Sequence, residues 1–317
     1  MTQPSISRSP SPSIVSSPSL ATNALRSSWR RARAASALAH GFAGIVAAMS
    51  LGCADHAKQS AARAAENVAD LAVLVDKDVS EVERGMPQGA KRLAPLVALG
   101  ADPRQDVAGV RRALLRVRRE VLDLSVAKST FFAIADVTGM AIRNDLEEDV
   151  MAGQNLFAVF PALAAAKDRY VTTTGTFPNA TSKSGPDEDW VAGVPVERED
   201  GSTGAVFVTG WTYRYFARHL QESLNDRLTE QAKEGRNDGK LPVFYVSVFD
   251  KSGVYSAPLT PPIDEKALAE QDLVGRTQAT PVFQGTTTIA DRAFGYAAQR
   301  TPKLGPDTGV VVLRSDM

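Results

Sequence analysis

The chain has 317 residues, an ordinary apolar content of 44%, and 36 basic against 36 acidic side chains, enough to bury one large core or two medium ones. The charge is unevenly spread: five arginines (Arg8, Arg26, Arg30, Arg31, Arg33) precede the first acid, Asp55, leaving 31 bases against 36 acids in the rest. A mildly acidic body lacks the clustered positive charge that phosphate backbones demand, which excludes nucleic acid as the main partner.

Residues 1–33 are a Ser/Pro-rich segment ending in the basic cluster RSSWRRAR, with little to bury and an expectation of disorder. The Ala-rich stretch 34–53 follows. Bases before an apolar run of about 20 residues read as an export signal or membrane anchor. That would leave the body in the cell envelope, periplasmic or on the outer face of the cytoplasmic membrane; an ordinary buried helix is the alternative. Cys53 is the one cysteine in the chain, so neither an internal disulfide nor a multi-cysteine metal site can form. Leu51-Gly52-Cys53 resembles the lipobox of bacterial lipoproteins, which would make Cys53 a lipidation site. The departure is Leu at −2 and Ser50 at −3, where that family has a small residue and Leu. An unmodified cysteine in a signal anchor is the other reading.

Residues 54–128 read as a helical stalk. Ala61, Ala64, Val68, Leu71, Val75, Val79 and Val82 recur at three- or four-residue steps, a heptad-like seam. Gly85 and Pro87 are expected to end that helix. A second follows Asp106, with Val107, Val110, Leu114, Val117, Val121 and Leu124 on one face. The two seams either pack on each other as a hairpin or serve a homodimer through the stalk helices. Arg111, Arg112, Arg116, Arg118 and Arg119 share the second helix, as a solvated face or a contact for anionic lipid.

Residues 129–211 form a first sheet unit. FFAIADVTG (Phe131–Gly139) recurs as FYVSVFDKSG (Phe244–Gly253). In each, an apolar run meets an Asp-x-x-Gly turn, the start of a hairpin. MAIRND is then a strand, LEEDVMAG and NLFAVFPALAAAKD are short helices, and RYVTTTG is a third strand. WVAGVPVERE and TGAVFVTG pair through Asp200-Gly201. Glu147, Glu148 and Asp149 read as acids compensating the dipole of a first helical turn. Residues 212–236 are a connecting helix with Tyr213, Phe216, Leu220, Leu224 and Leu228 on one face. Residues 237–317 form a second, smaller sheet unit, whose shorter crossover leaves less room for a pocket. The fold class is α+β: a helical stalk, then antiparallel sheets, two in tandem.

The order strand-strand-helix-helix-strand-strand-strand behind a long helix and an export signal resembles the Cache family of extracytoplasmic sensor domains, relatives of the PAS fold. FFAIADVTGMAIRND, GQNLFAVFPALAAA and WVAGVPVEREDGSTGAVFVTG carry that resemblance, over about Ala54 to Gly210 and more loosely beyond. It implies a small-molecule pocket between sheet and crossover. The Tyr…Arg-x-Trp-Tyr…Asp signature of amino-acid-binding members is not matched; Arg169-Tyr170 and Trp190 are fragments of it.

Catalytic material is scarce. There are three histidines: His40 in the export segment, His56 beside it, and His219 at the edge of an apolar helix face, a packing position. No Ser-His-Asp or Cys-His set, metal-ligand spacing, phosphate-cradling glycine loop or cofactor motif is present. Ligand-binding candidates in the first unit are Arg143, Tyr170, Thr172, Thr174 and Trp190: a cation able to pair a carboxylate, hydroxyls, and aromatic walls. The expectation is a non-enzymatic, membrane-attached sensor of a small molecule. With no output segment before Met317, it would act through a separate signalling protein. An envelope interaction protein without a pocket, or a hydrolase with two converging carboxylates, are the alternatives.

Overall fold

The computed structural model describes residues 36–126, 129–177, 187–236 and 241–316, with side chains from residue 55 onward apart from 125 and 126. The expected disordered segment, the export or anchor segment and Cys53 therefore lie outside the described residues or side chains. Among the described residues, no helix is long and apolar enough to cross a membrane. The chain divides into two compact units, Met1–Met49 and Ser50–Met317; residues 36–49 of the first are helical, and the second holds the tertiary structure that follows.

Helix α1 spans Ser36–Leu93. Its seam, from Ala61 through Val82, is buried as the periodicity predicts. It does not stop at Gly85 and Pro87. Gly85 and Gly89 sit one turn apart on the buried face. A Cβ on Gly85 would lie 2.7 Å from Leu124, and one on Gly89 2.7 Å from Phe207. Close packing selects glycine there, and tertiary contact outweighs a helix-propensity cost of about 1 kcal/mol per glycine. Pro87 faces solvent.

Helix α2 (Val107–Glu120) starts where Asp106 accepts the Gly109 N–H at 2.8 Å, and α3 (Leu122–Val126) follows. Val110, Leu114, Val117, Val121 and Leu124 join the same core as the α1 seam, so the two helices pack on each other. From Ala61 to Val82 and from Val110 to Leu124 the seams are buried within the chain. The α2 arginines are partly engaged: Arg118 pairs with Asp145 at 2.7 Å and covers the Phe132 ring at 4.2 Å.

The first sheet comprises β1 (Phe131–Ala135), β2 (Ala141–Asn144), β3 (Val171–Gly175), β4 (Asp189–Glu197) and β5 (Thr203–Thr212), antiparallel in the order β2-β1-β5-β4-β3. Its crossover holds α4 (Leu156–Val159) and a 3-10 turn, Pro161–Lys167. Helix α5 (Tyr213–Lys233) leads on, capped by Thr212 and burying the predicted Tyr213, Phe216, Leu220, Leu224 and Leu228. The second sheet has β6 (Val243–Phe249), β7 (Val254–Ser256), β8 (Val282–Ile289), β9 (Arg292–Arg300) and β10 (Gly309–Ser315) in the order β7-β6-β10-β9-β8. Its crossover carries α6 (Pro262–Ala269) and α7 (Leu273–Ala279). The two strand orders are the same permutation, so the fold is a tandem of two equivalent antiparallel sheets.

One expected helix is absent. Residues 145–152 are bends and turns. Asp149 accepts the N–H groups of Asn144 (2.9 Å), Met151 (3.0 Å) and Ala152 (3.0 Å), while Asn144 accepts that of Leu146 at 2.9 Å. Side chains have taken the amides that a helix would use. The acids of that run thus compensate no helix dipole.

The strands are apolar on both faces. One face of each sheet shares a single core with α1, α2 and α5, while the other lies under its own crossover in a separate cluster. Helix α1 meets both sheets. At its middle, Arg63 pairs with Asp316 at 3.0 Å, and Asn67 accepts from buried Arg314 at 2.7 Å. Further along, Asp78 and His219 are 2.9 Å apart. A side chain at Gly295 of β9 would run into the backbone of Ala61 and approach the Ala57 carbonyl to 2.5 Å. Neither atom can step aside. Gly295→Val is therefore expected to destabilise the chain by about 3 kcal/mol, read by denaturant unfolding; unchanged stability would show that α1 does not pack on β9 in solution.

Candidate ligand-binding site

The five residues singled out from the sequence do not converge. Arg143 lies on the edge strand β2, in register with Ile134 just past an irregularity in the β1–β2 pairing. Its guanidinium pairs with Asp149 at 3.1 Å and donates to the carbonyls of Leu146 (2.8 Å) and Glu147 (3.3 Å). It fastens its own loop. Tyr170 and Trp190 belong to the helix side. Thr174 and Thr172 pair in register with Trp190 and Ala192 and share that side. Trp190 is fully buried, stacked on Trp211 at 4.2 Å, which stacks on Phe216 at 4.7 Å. The Tyr170 hydroxyl is buried without a partner; burial raises its pKa, and Glu83 adds to the rise. Arg143 is thus at one edge of the sheet, while the other four belong to β3, its lead-in and the adjacent β4 at the opposite edge.

The crossover side of the first sheet offers a different group. Asp189 opens β4 and is 2% exposed. One carboxylate oxygen accepts the Phe177 N–H at 3.0 Å, and the other is buried with no hydrogen-bond partner among the described residues. Phe160 and Phe177 stack face to face, centroids 6.4 Å apart, and Phe160 covers Gly175, the register partner of Asp189. Asp187 and Glu188 precede it. Asp187 accepts the Arg214 N–H at 3.2 Å, while the Arg214 guanidinium binds Glu265 at 2.6 and 2.9 Å. Burial pushes the Asp189 carboxyl up to about 7; the Phe177 N–H pulls against that, and the neighbouring Asp187 and Glu188 charges add to it. Burial also raises Asp187 and Glu188.

An unpaired carboxylate oxygen in an apolar setting costs free energy until something donates to it. What it suits is a cation or a strong donor, with two phenyl rings beside it. Among the described residues, no group of three or more His, Cys, Asp or Glu side chains could hold a metal ion. Sequence reading missed Asp189 because DED looked like loop. The signal was strand parity: Asp189 lies two residues before Val191, on the buried crossover face.

No protein-family model matches the chain, and no curated protein does. Solved structures resemble its fold. A domain of a putative sensory box/GGDEF family protein from Vibrio parahaemolyticus is 8% identical, with a TM-score of 0.49, over 82% of this chain and 97% of that one. The ligand-binding domain of the amino acid chemoreceptor PctC of Pseudomonas aeruginosa PAO1, in complex with GABA, is 16% identical, with a TM-score of 0.43, over 79% and 96%. An extracellular ligand binding receptor from Desulfohalobium retbaense DSM5692 is 10% identical, with a TM-score of 0.41, over 78% of this chain; this chain spans 39% of that receptor. At such identities no side chain can be carried over.

The Asp189 geometry has a pH signature. Its folded-state pKa of about 7 stands above the ordinary 3.8, so the folded chain holds the proton more tightly than the unfolded one. The associated stability is complete below pH ~4 and is lost as pH rises to ~7. Asp189→Asn should therefore be more stable than the parent at pH 8, by on the order of 3 kcal/mol, and should lose most of that advantage at pH 4. Denaturant unfolding at both pH values checks this; a pH-independent difference would contradict it.

Proposed function

We propose that this chain is an extracytoplasmic small-molecule binding module that receives an amine-bearing solute on the crossover face of its first sheet. Asp189 supplies the counter-charge, and Phe160 with Phe177 the apolar wall. The observation that carries this is the buried, unpartnered Asp189 oxygen. A cation there regains the electrostatic energy that burial removes, and two aromatic faces add cation–π attraction. The role is binding, with no chemistry assigned to these residues. Membrane attachment through the N-terminal segment rests on its basic cluster and apolar run. Signalling through a separate protein rests on α1: it packs against both sheets, so a ligand that favours one packing of the first sheet biases the wall of the second.

The test is a calorimetric and thermal-shift series of primary amines, amino acids and amine-free carboxylates at pH 8 and pH 5.5. An amine at about one hundred times its Kd should add ~2.7 kcal/mol to stability. Its affinity should fall towards pH 5.5 as Asp189 takes a proton, with proton release on binding near pH 7. Asp189→Asn should lose amine binding while remaining folded. Amine binding unaffected by that substitution, or no amine shifting the midpoint, would sink the proposal.

A further inference from the structure

The repeated Asp-x-x-Gly turn is built differently in its two copies. In the first, the Asp136 N–H reaches the Met140 carbonyl at 2.9 Å. That leaves the Gly139 carbonyl free to accept the Leu156 N–H at 2.8 Å. The crossover helix α4 is thereby docked on the turn, Asn155 bridges to Met140, and the Phe157 ring lies where a Gly139 side chain would be, 2.5 Å from its Cβ position. In the second copy the turn is one residue tighter. The Asp250 N–H takes the Gly253 carbonyl at 3.0 Å, so the turn itself engages the acceptor that the crossover engages in the first copy. Nothing stands within 4 Å of where a Gly253 side chain would project.

The space so left is a cavity of about 610 Å³ between the β6–β7 turn and the α6–α7 pair. A pocket-sized space thus exists where the sequence suggested little room: α7 and an early start of β8 at Val282 make the second crossover no mere abbreviation. Phe249, Val254, Leu268 and Leu273 form its floor, and Ser252, Asp272 and Gln278 are among its polar lining. Its size suits a small organic ligand. Lys251 at the mouth is held by Asp307 at 2.6 Å.

We propose that this cavity is a second binding site, for a small aromatic compound whose ring takes on Gly253 the place that Phe157 takes on Gly139, with a hydrogen-bonding group turned to Ser252, Asp272 and Gln278. It is independent of the Asp189 site.

The probe is 2-phenylethanol, uncharged and so not directed to Asp189, titrated into the full chain while the methyl resonances of Val254, Leu268 and Leu273 are followed by NMR. Saturable shifts at those methyls are expected, absent with n-butanol. Gly253→Phe, which places a ring in the cavity from the protein itself, should weaken binding at least tenfold without lowering the melting midpoint. Ser252→Trp, at an exposed position, should do the same should the first variant unfold. Asp189→Asn should bind as the parent does. Saturable binding that survives both cavity substitutions, or no shift at those methyls with millimolar probe, would overturn the assignment.

Discussion

Helix α1 is covered by two sheets that share no strand, and it can serve both only because its partners come close to its backbone. Ala57 and Ala61 admit Gly295 about halfway along it; Gly85 and Gly89 admit Leu124 and Phe207 near its C-terminal end. Between these contacts, Val75 and Val79 are buried and Asp78 meets His219. Interiors pack at crystal-like density, so one added methylene at such an approach is felt along the whole wall. The apolar cluster along this helix runs through both units without a break, whereas each crossover face keeps a cluster of its own. Stability is concentrated on one side of the sheets, which leaves the other side free to carry features that cost stability, among them the unpaired oxygen of Asp189 and an open cavity.

How much of this could be read from the chain depended on whether burial or local geometry decided the outcome. The α1 and α2 seams were legible because helical periodicity reports burial directly. The α1 stop was not, since Gly85 and Pro87 signal termination on local grounds while Leu124 and Phe207 demand a small residue on tertiary ones. LEEDVMAG has helix-like composition, but two side chains, Asn144 and Asp149, redirect its amides. The site residues failed for a related reason. Arg143, Tyr170 and Trp190 were chosen for their chemistry, and chemistry does not say which face of a strand a residue occupies. Strand parity does, and applied to DEDWV it puts Asp189 on the crossover side and Trp190 on the helix side.

The two sheets show how a duplicated unit diverges while its topology stays fixed. Strand order persists, although the β1–β2 and β4–β5 pairings each carry an irregularity that β6–β7 and β9–β10 lack; within a strand, a slip of one residue would exchange both of its buried faces. Turns and crossovers carry no such penalty. A single backbone acceptor, engaged by the crossover at Gly139 and by the turn itself at Gly253, separates a filled junction from an empty one.

The end of β10 has a mechanical meaning. Arg314, almost wholly buried, holds Asp316 through several short bonds and donates to Asn67, while Ser60 and Arg63 also bind Asp316. Burial alone would raise the Asp316 carboxyl; the bonds from Arg314, Ser60 and Arg63 outweigh it and hold it low. Positions 60 and 316 are thus fastened side by side, although nearly the whole fold lies between them in sequence. Tension applied across these two points would load this ionic clasp and, through Arg314, the β10 strand that carries it. The clasp thus ties a pull at position 316 to α1 and the second sheet together.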